Sequence, residues 1–110
     1  MAGIARRCNA AALVGNTVRS SFYGALAARL ARVPFVWHMR DFWLSETVPR
    51  WPWLESALKR WLCRRATVVV ANSLAVAAKL PCREKIRVVY NGLPAEWLAS
   101  KADGRAFRRE

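Results

Sequence analysis

Residues 33–43 read V-P-F-V-W-H-M-R-D-F-W, and this stretch decides the fold. Its first part, Pro34 to Trp37, is a short apolar run that opens on a proline and is too brief for an ordinary helix. Helical patterns flank it on both sides. A run of this kind is expected as a fully buried strand of a parallel sheet. Its exit delivers His38, Arg40 and Asp41 within four residues, and His38 is the single histidine of the chain. In open α/β sheets ligands sit outside the carboxyl ends of the strands, so this polar exit is a candidate site. The plainer reading is a histidine satisfied within the fold beside an ordinary Arg40–Asp41 surface pair. Clustered ionisable groups mark sites only statistically, and the pattern alone leaves both readings open.

Working outward, Ala10–Val14 is expected as a weak strand, since alanine is a poor strand former, with Gly15, Asn16 and Thr17 as a loop. A helix is expected from about Ser20 to Arg32, capped by Ser20 or Ser21, with Phe22, Leu26, Ala27 and Leu30 on one face. Pro34 would end it. A second helix is expected from about Trp53 to Arg65. Trp53, Leu54, Ala57, Leu58, Trp61 and Leu62 form its apolar side, and Glu55, Lys59, Arg60 and Arg64 its outer side. Thr67–Ala71 is the clearest strand, with Asn72 and Ser73 at its end and Ser73 as cap of a short helix 74–80 stopped by Pro81. Ile86–Tyr90 reads as another buried strand, and Asn91-Gly92 as a turn that uses the positive φ open to glycine. Residues 95–110 lose apolar periodicity and read as a linker or tail. Strands and helices therefore alternate, which implies a parallel sheet with right-handed crossovers. Polar strand exits at Asn16-Thr17, His38 to Asp41 and Asn72-Ser73 would gather along one edge.

Composition sets the remaining bounds. With 110 residues, 55% of them hydrophobic, the chain suits one domain with a core. Nineteen Lys and Arg against seven Asp and Glu give a net charge of +12. The excess is spread along the chain and favours anionic partners: phosphorylated metabolites, acidic lipid or nucleic acid. Cys8, Cys63 and Cys82 are an odd number without C-x-x-C spacing, read as free thiols in a reducing cytoplasm, and with one histidine they offer no zinc constellation. The N-terminus resembles a signal peptide, but its apolar core falls below the ~7–15 residues such a signal needs. No segment approaches the ~20 apolar residues of a membrane span. A cytoplasmic setting is expected. The Trp-rich, basic stretch Trp43 to Arg65 is the part suited to peripheral contact with an anionic membrane at its inner face.

Taken in order, the strand ending near Asn16, the Ala-rich helix, V-P-F-V-W-H-M-R-D, A-T-V-V-V-A-N-S and K-I-R-V-V-Y-N-G-L-P resemble the N-terminal domain of family-4 GT-B retaining glycosyltransferases. The resemblance covers roughly residues 10–95, and its strength lies in the series rather than in any one motif. It implies an α/β fold: a partial Rossmann-like parallel sheet with flanking helices. Residues 1–94 would be the later half of the acceptor-side domain, and 95–110 a linker toward a donor domain beyond. The family's first strand with its Gly-rich loop, and its paired glutamates, have no counterpart in this sequence, and Pro94 stands where many relatives have Asp. The resemblance implies that His38 sits beside the transferred sugar. It also has Arg40 and Asp41 hold an acceptor, sugar or lipid-linked, and Asn16, Ser73, Asn91 and Gly92 line or hinge the cleft. It implies no metal and no cofactor bound by this segment, a nucleotide sugar as donor of the complete enzyme, and no activity for the piece alone. Two other readings compete. A basic module for anionic membrane or nucleic acid explains the charge but not three buried strands with polar exits, and no nucleic-acid-binding signature is present. A small nucleotide-binding protein would need a G-x-G-x-x-G or P-loop, and neither occurs.

Overall fold

A computed structural model describes residues 1–40 and 52–92. Its elements are α1 (Ala2–Arg7), β1 (Leu13–Gly15), α2 (Val18–Ala31), β2 (Phe35–Met39), α3 (Pro52–Arg65), β3 (Val68–Ala71), α4 (Leu74–Ala78), a 3₁₀ turn (Arg83–Lys85) and β4 (Ile86–Val88). The strands form one parallel sheet in the order β1-β2-β3-β4. The partial Rossmann-like arrangement expected from the sequence is therefore the observed one. The N-terminus differs from expectation. Residues 2–7 form a helix that packs on α2, with the Arg6 guanidinium donating to the Leu30 carbonyl.

A monotonic strand order with right-handed crossovers puts every crossover helix on the same side of the sheet. That side carries the core. Phe35, Trp37, Met39, Val69 and Ala71 are buried against Ala25 and Ala28 of α2, Leu62 and Cys63 of α3, and Val76 of α4. The register aligns Val14 with Val36, Val36 with Val68, and His38 with Val70 on the opposite side. No described helix packs there: Val14 is 60% exposed, and Val36, His38, Val68 and Val70 are only part-buried.

α2 turns a different face to the sheet from the one its large apolar residues suggest. Of the expected face, Ala27 is buried and Phe22 packs against the core, but Leu26 and Leu30 are at least half exposed, while Ser21, Gly24, Ala25 and Ala28 are buried. The cause is the sheet's own bulk. Phe35 and Trp37 fill the interface, so only small side chains fit between helix and strands. Gly15 shows how close the approach is, because a Cβ there would lie 2.6 Å from the Ser21 Cα and 3.1 Å from the Phe35 ring. Backbone cannot swing aside as a flexible side chain can. Gly15→Ala is expected to cost about 2 kcal/mol, read as a lower urea midpoint at unchanged slope. An unchanged midpoint would show that α2 can move away freely.

The cap of α2 also shifts from the expected serines to Thr17. Thr17 Oγ1 accepts from the Ser20 N–H (3.2 Å) and Ser20 Oγ from the Thr17 N–H (2.8 Å), a reciprocal capping box. The helix ends before Pro34, where Arg32 takes a left-handed φ of 60° and the Val33 N–H reaches the Ala28 carbonyl at 3.0 Å. On α3, Trp53 is 68% exposed, whereas Lys59, expected on the outer face, is buried and paired with Glu55 one turn back. β4 is shorter than expected. Val89 and Tyr90 are exposed at 57% and 64%, because β4 pairs on one side only. No described glycine has positive φ, so Gly92 does not take the left-handed conformation expected of it, and the rest of the expected turn lies outside the described residues.

Cys63 and Cys82 form a disulfide, leaving Cys8 as the free thiol, which corrects the expectation of three free cysteines. The spacing gave no hint, since the two meet only once α3 and the segment after α4 pack side by side. The inference of a reducing compartment loses that support. Closing a loop across 19 residues is worth about 2 kcal/mol or somewhat more. Dithiothreitol should therefore lower the thermal midpoint of the wild type but not of Cys63→Ser/Cys82→Ser. Equal midpoints with and without reductant would show that the bridge adds nothing.

Candidate functional site

β1 ends at Gly15 beside Trp37, and β2 runs on to Met39, so the carboxyl ends of the two strands lie next to each other. Asn16 leaves β1 there with its backbone N–H held by Ser20 Oγ (3.0 Å), so its side chain is exposed at the rim. His38 is the fourth residue of β2, on the side of the sheet that no described helix covers. It is part-buried, and its imidazole makes no hydrogen bond among the described residues. Asn16, Thr17, Val18, Trp37, His38, Met39 and Arg40 line one notch. The notch encloses only about 10 Å³, room for about one water molecule. It is a corner of a site, with no far wall among the described residues.

β3 contributes Asn72, which the sequence offered as part of a polar strand exit but without a role at the site. Asn72 Nδ2 donates to the Arg40 carbonyl across the strand ends at 2.5 Å, and the Asn72 N–H reaches the Met39 carbonyl at 3.4 Å. Facing a carbonyl fixes the amide's orientation, since only the NH₂ end can donate. Its Oδ1 is left buried without a hydrogen-bond partner among the described residues. A buried acceptor without a partner is costly. The only sequence signal was an asparagine closing a β-branched run.

The other expected residues fall out as follows. Arg40 is exposed at the notch, and Asp41 lies outside the described residues. Ser73 Oγ accepts from the Val76 N–H (3.1 Å), capping α4 as expected, next to Asn72. Asn91 and Gly92 are exposed beyond β4, with β3 between them and β2, and line no part of the notch. Among the described residues no three His, Cys, Asp or Glu side chains gather as a metal site, and no helix is long and apolar enough to cross a membrane. Among the described residues Arg40 is the one charged group that lines the notch, and its guanidinium suits an anionic or hydroxyl-rich ligand.

Comparison with solved structures finds the same fold in Alr3699/HepE of Anabaena. In its complex with UDP-glucose the TM-score is 0.69 at 24% identity, over 98% of this chain and 30% of that one. The complex with UDP gives the same values, and the complex with UDP and glucose gives 0.66 at 23% identity, over 98% and 31%. This chain thus spans under a third of that protein's length. No curated protein sequence matches it. The model of Glycosyltransferase Family 4 matches residues 1–97, nearly all of the described fold and every strand of the sheet, and the chain belongs to that family.

Proposed function

We propose that this chain is the acceptor-side part of a hexosyltransferase that uses a nucleotide sugar, and that it is inactive without a donor-binding domain. The observation that carries the reading is the corner where His38 stands beside Arg40 and Asn16 at the carboxyl edge of the sheet. The complexes of HepE with UDP-glucose and with UDP support a nucleotide sugar as donor. In the proposed reaction an acceptor hydroxyl forms the new bond to the anomeric carbon as the bond to the nucleoside diphosphate breaks. The hydroxyl proton passes to the departing phosphate, so no protein nucleophile is required. His38 donates a hydrogen bond to the transferred sugar. Arg40 grips a phosphate or carboxylate of the acceptor through its fork of donors, with Asp41 beside it. Asn16 and Ser73 line the cleft, and Asn91-Gly92 leads toward the hinge. Radiolabelled nucleotide sugars incubated with a polypeptide that joins this segment to its donor domain test the proposal. Failure of every donor to label a lipid-linked or free sugar acceptor would refute it.

A peripheral position at the inner face of the membrane is the companion reading, favoured by Trp53 exposed on the same helix as Arg60 and Arg64. Binding to anionic vesicles is expected to fall steeply between low and high salt, since ions screen exposed charges beyond about 10 Å at 0.1 M. Equal sedimentation with neutral vesicles would remove the membrane from the account.

A further inference from the structure

The basic residues of α3 meet a second basic element at the opposite end of the sheet from His38. α3 runs back from the carboxyl edge, and its last turn leads into the start of β3. Lys85 in the same way leads into the start of β4. Between α3 and the segment from α4 to the 3₁₀ turn lie two depressions of about 190 and 270 Å³ that meet at Arg60 and Pro81. Arg60 lines both, Arg64 and Lys85 the first, and Lys79 the second. The acidic groups nearby do not neutralise this set. Glu55 pairs with Lys59, and Glu84 is the one carboxylate in the lining. Lys85 Nζ is already fixed by the Cys63 and Ala66 carbonyls at 3.0 Å each, which leaves its charge at the groove wall. Arg60, Arg64 and Lys79 have no carboxylate partner among the described residues. The Cys63–Cys82 disulfide ties the two walls together beneath them.

We infer that this groove binds a phosphomonoester. The Arg60 and Arg64 guanidiniums with Lys85 in one depression, and Lys79 in the depression that adjoins it at Arg60, suit a compact dianion with three acceptor oxygens better than a singly charged carboxylate. The walls are a helix and a disulfide-stapled segment, so the backbone that carries the cations is held in place, and Lys85 is itself fixed before a ligand arrives. The site is separate from the notch at His38 and does not depend on sugar transfer. It refines the membrane reading by naming the group recognised, and its soluble arm decides the matter even where no vesicle binds.

The test uses the oxidised 110-residue chain at 10 °C with two probes. One is glycerol 3-phosphate, followed by calorimetry; the other is phosphatidylcholine vesicles carrying phosphatidic acid, followed by co-sedimentation. Arg60→Gln should weaken binding about fivefold, and Arg60→Gln with Lys79→Gln about 25-fold. Arg7→Gln, which removes the same charge from α1, should change it less than about twofold. Both substituted groove residues are exposed, so circular dichroism should report the same fold. Arg60-dependent binding of glycerol 3-phosphate assigns the site to a free phosphomonoester. Arg60-dependent binding of vesicles alone, without competition by glycerol 3-phosphate, assigns it to a lipid headgroup. Equal losses for Arg7→Gln and Arg60→Gln, or no binding of either probe, would overturn the inference.

Discussion

His38→Ala, placed in a complete polypeptide that carries this segment, is expected to lower turnover about 10²-fold while shifting stability by no more than about 1 kcal/mol. The two effects separate because of where the residue sits. His38 belongs to a central strand, but its side chain is on the uncovered side of the sheet and makes no hydrogen bond among the described residues. Its removal therefore orphans no buried partner and opens no cavity in the core formed by Trp37, Met39 and Val69. A donor positioned at a reacting centre acts where charge develops, and losing one such donor costs rate far more than folding. Single-turnover kinetics beside a thermal melt decide between the roles. A variant that melts early yet keeps full rate per folded molecule would make His38 a structural residue and leave Arg40 to carry the notch.

How much of this could be read in the sequence follows a physical line. β2 and β3 were legible as strands because each is a short apolar run bounded by turn residues between helical patterns, although the full burial expected of them is met on one face only. Thr17 as cap was missed because a capping box needs the Ser20 hydroxyl to return to the Thr17 N–H, a reciprocity that two neighbouring serines conceal. The buried face of α2 was misread for a packing reason. Hydrophobicity selects Leu26 and Leu30, but the closeness of Gly15 to Ser21 selects glycine and alanine, and closeness is a tertiary property. The disulfide and the Asn72–Arg40 contact are likewise products of the fold. Each joins residues 19 and 32 positions apart, and no local propensity encodes such a meeting. The polar exit of β2 was visible as a candidate site. Its completion by Asn72 required the register that sets β3 beside it.

The 110-residue chain, purified alone, is expected to transfer no sugar and to unfold at a lower temperature than a two-domain polypeptide containing it. Catalysis fails first on geometry. The notch at His38 admits about one water molecule among the described residues, too little to hold a donor and an acceptor together. Stability suffers from the same incompleteness. All the crossover helices cover one side of the sheet, which leaves Val14, Val36, Val68 and Val70 as a strip facing away from the core. On the helical side, Tyr23, Leu26 and Leu30 form an exposed row along α2. Apolar patches of this kind on an isolated chain favour association, and β1 and β4 each present a strand edge that can pair with another copy. The net charge of +12 opposes compaction as well as aggregation, so high salt should raise the midpoint and promote self-association together. A panel of nucleotide sugars with candidate acceptors, run beside melts at two salt concentrations and light scattering, measures all three outcomes. Sustained turnover with a salt-independent cooperative melt would mean that the chain holds a self-contained site, and the division of labour proposed for His38 and a separate donor domain would then be wrong.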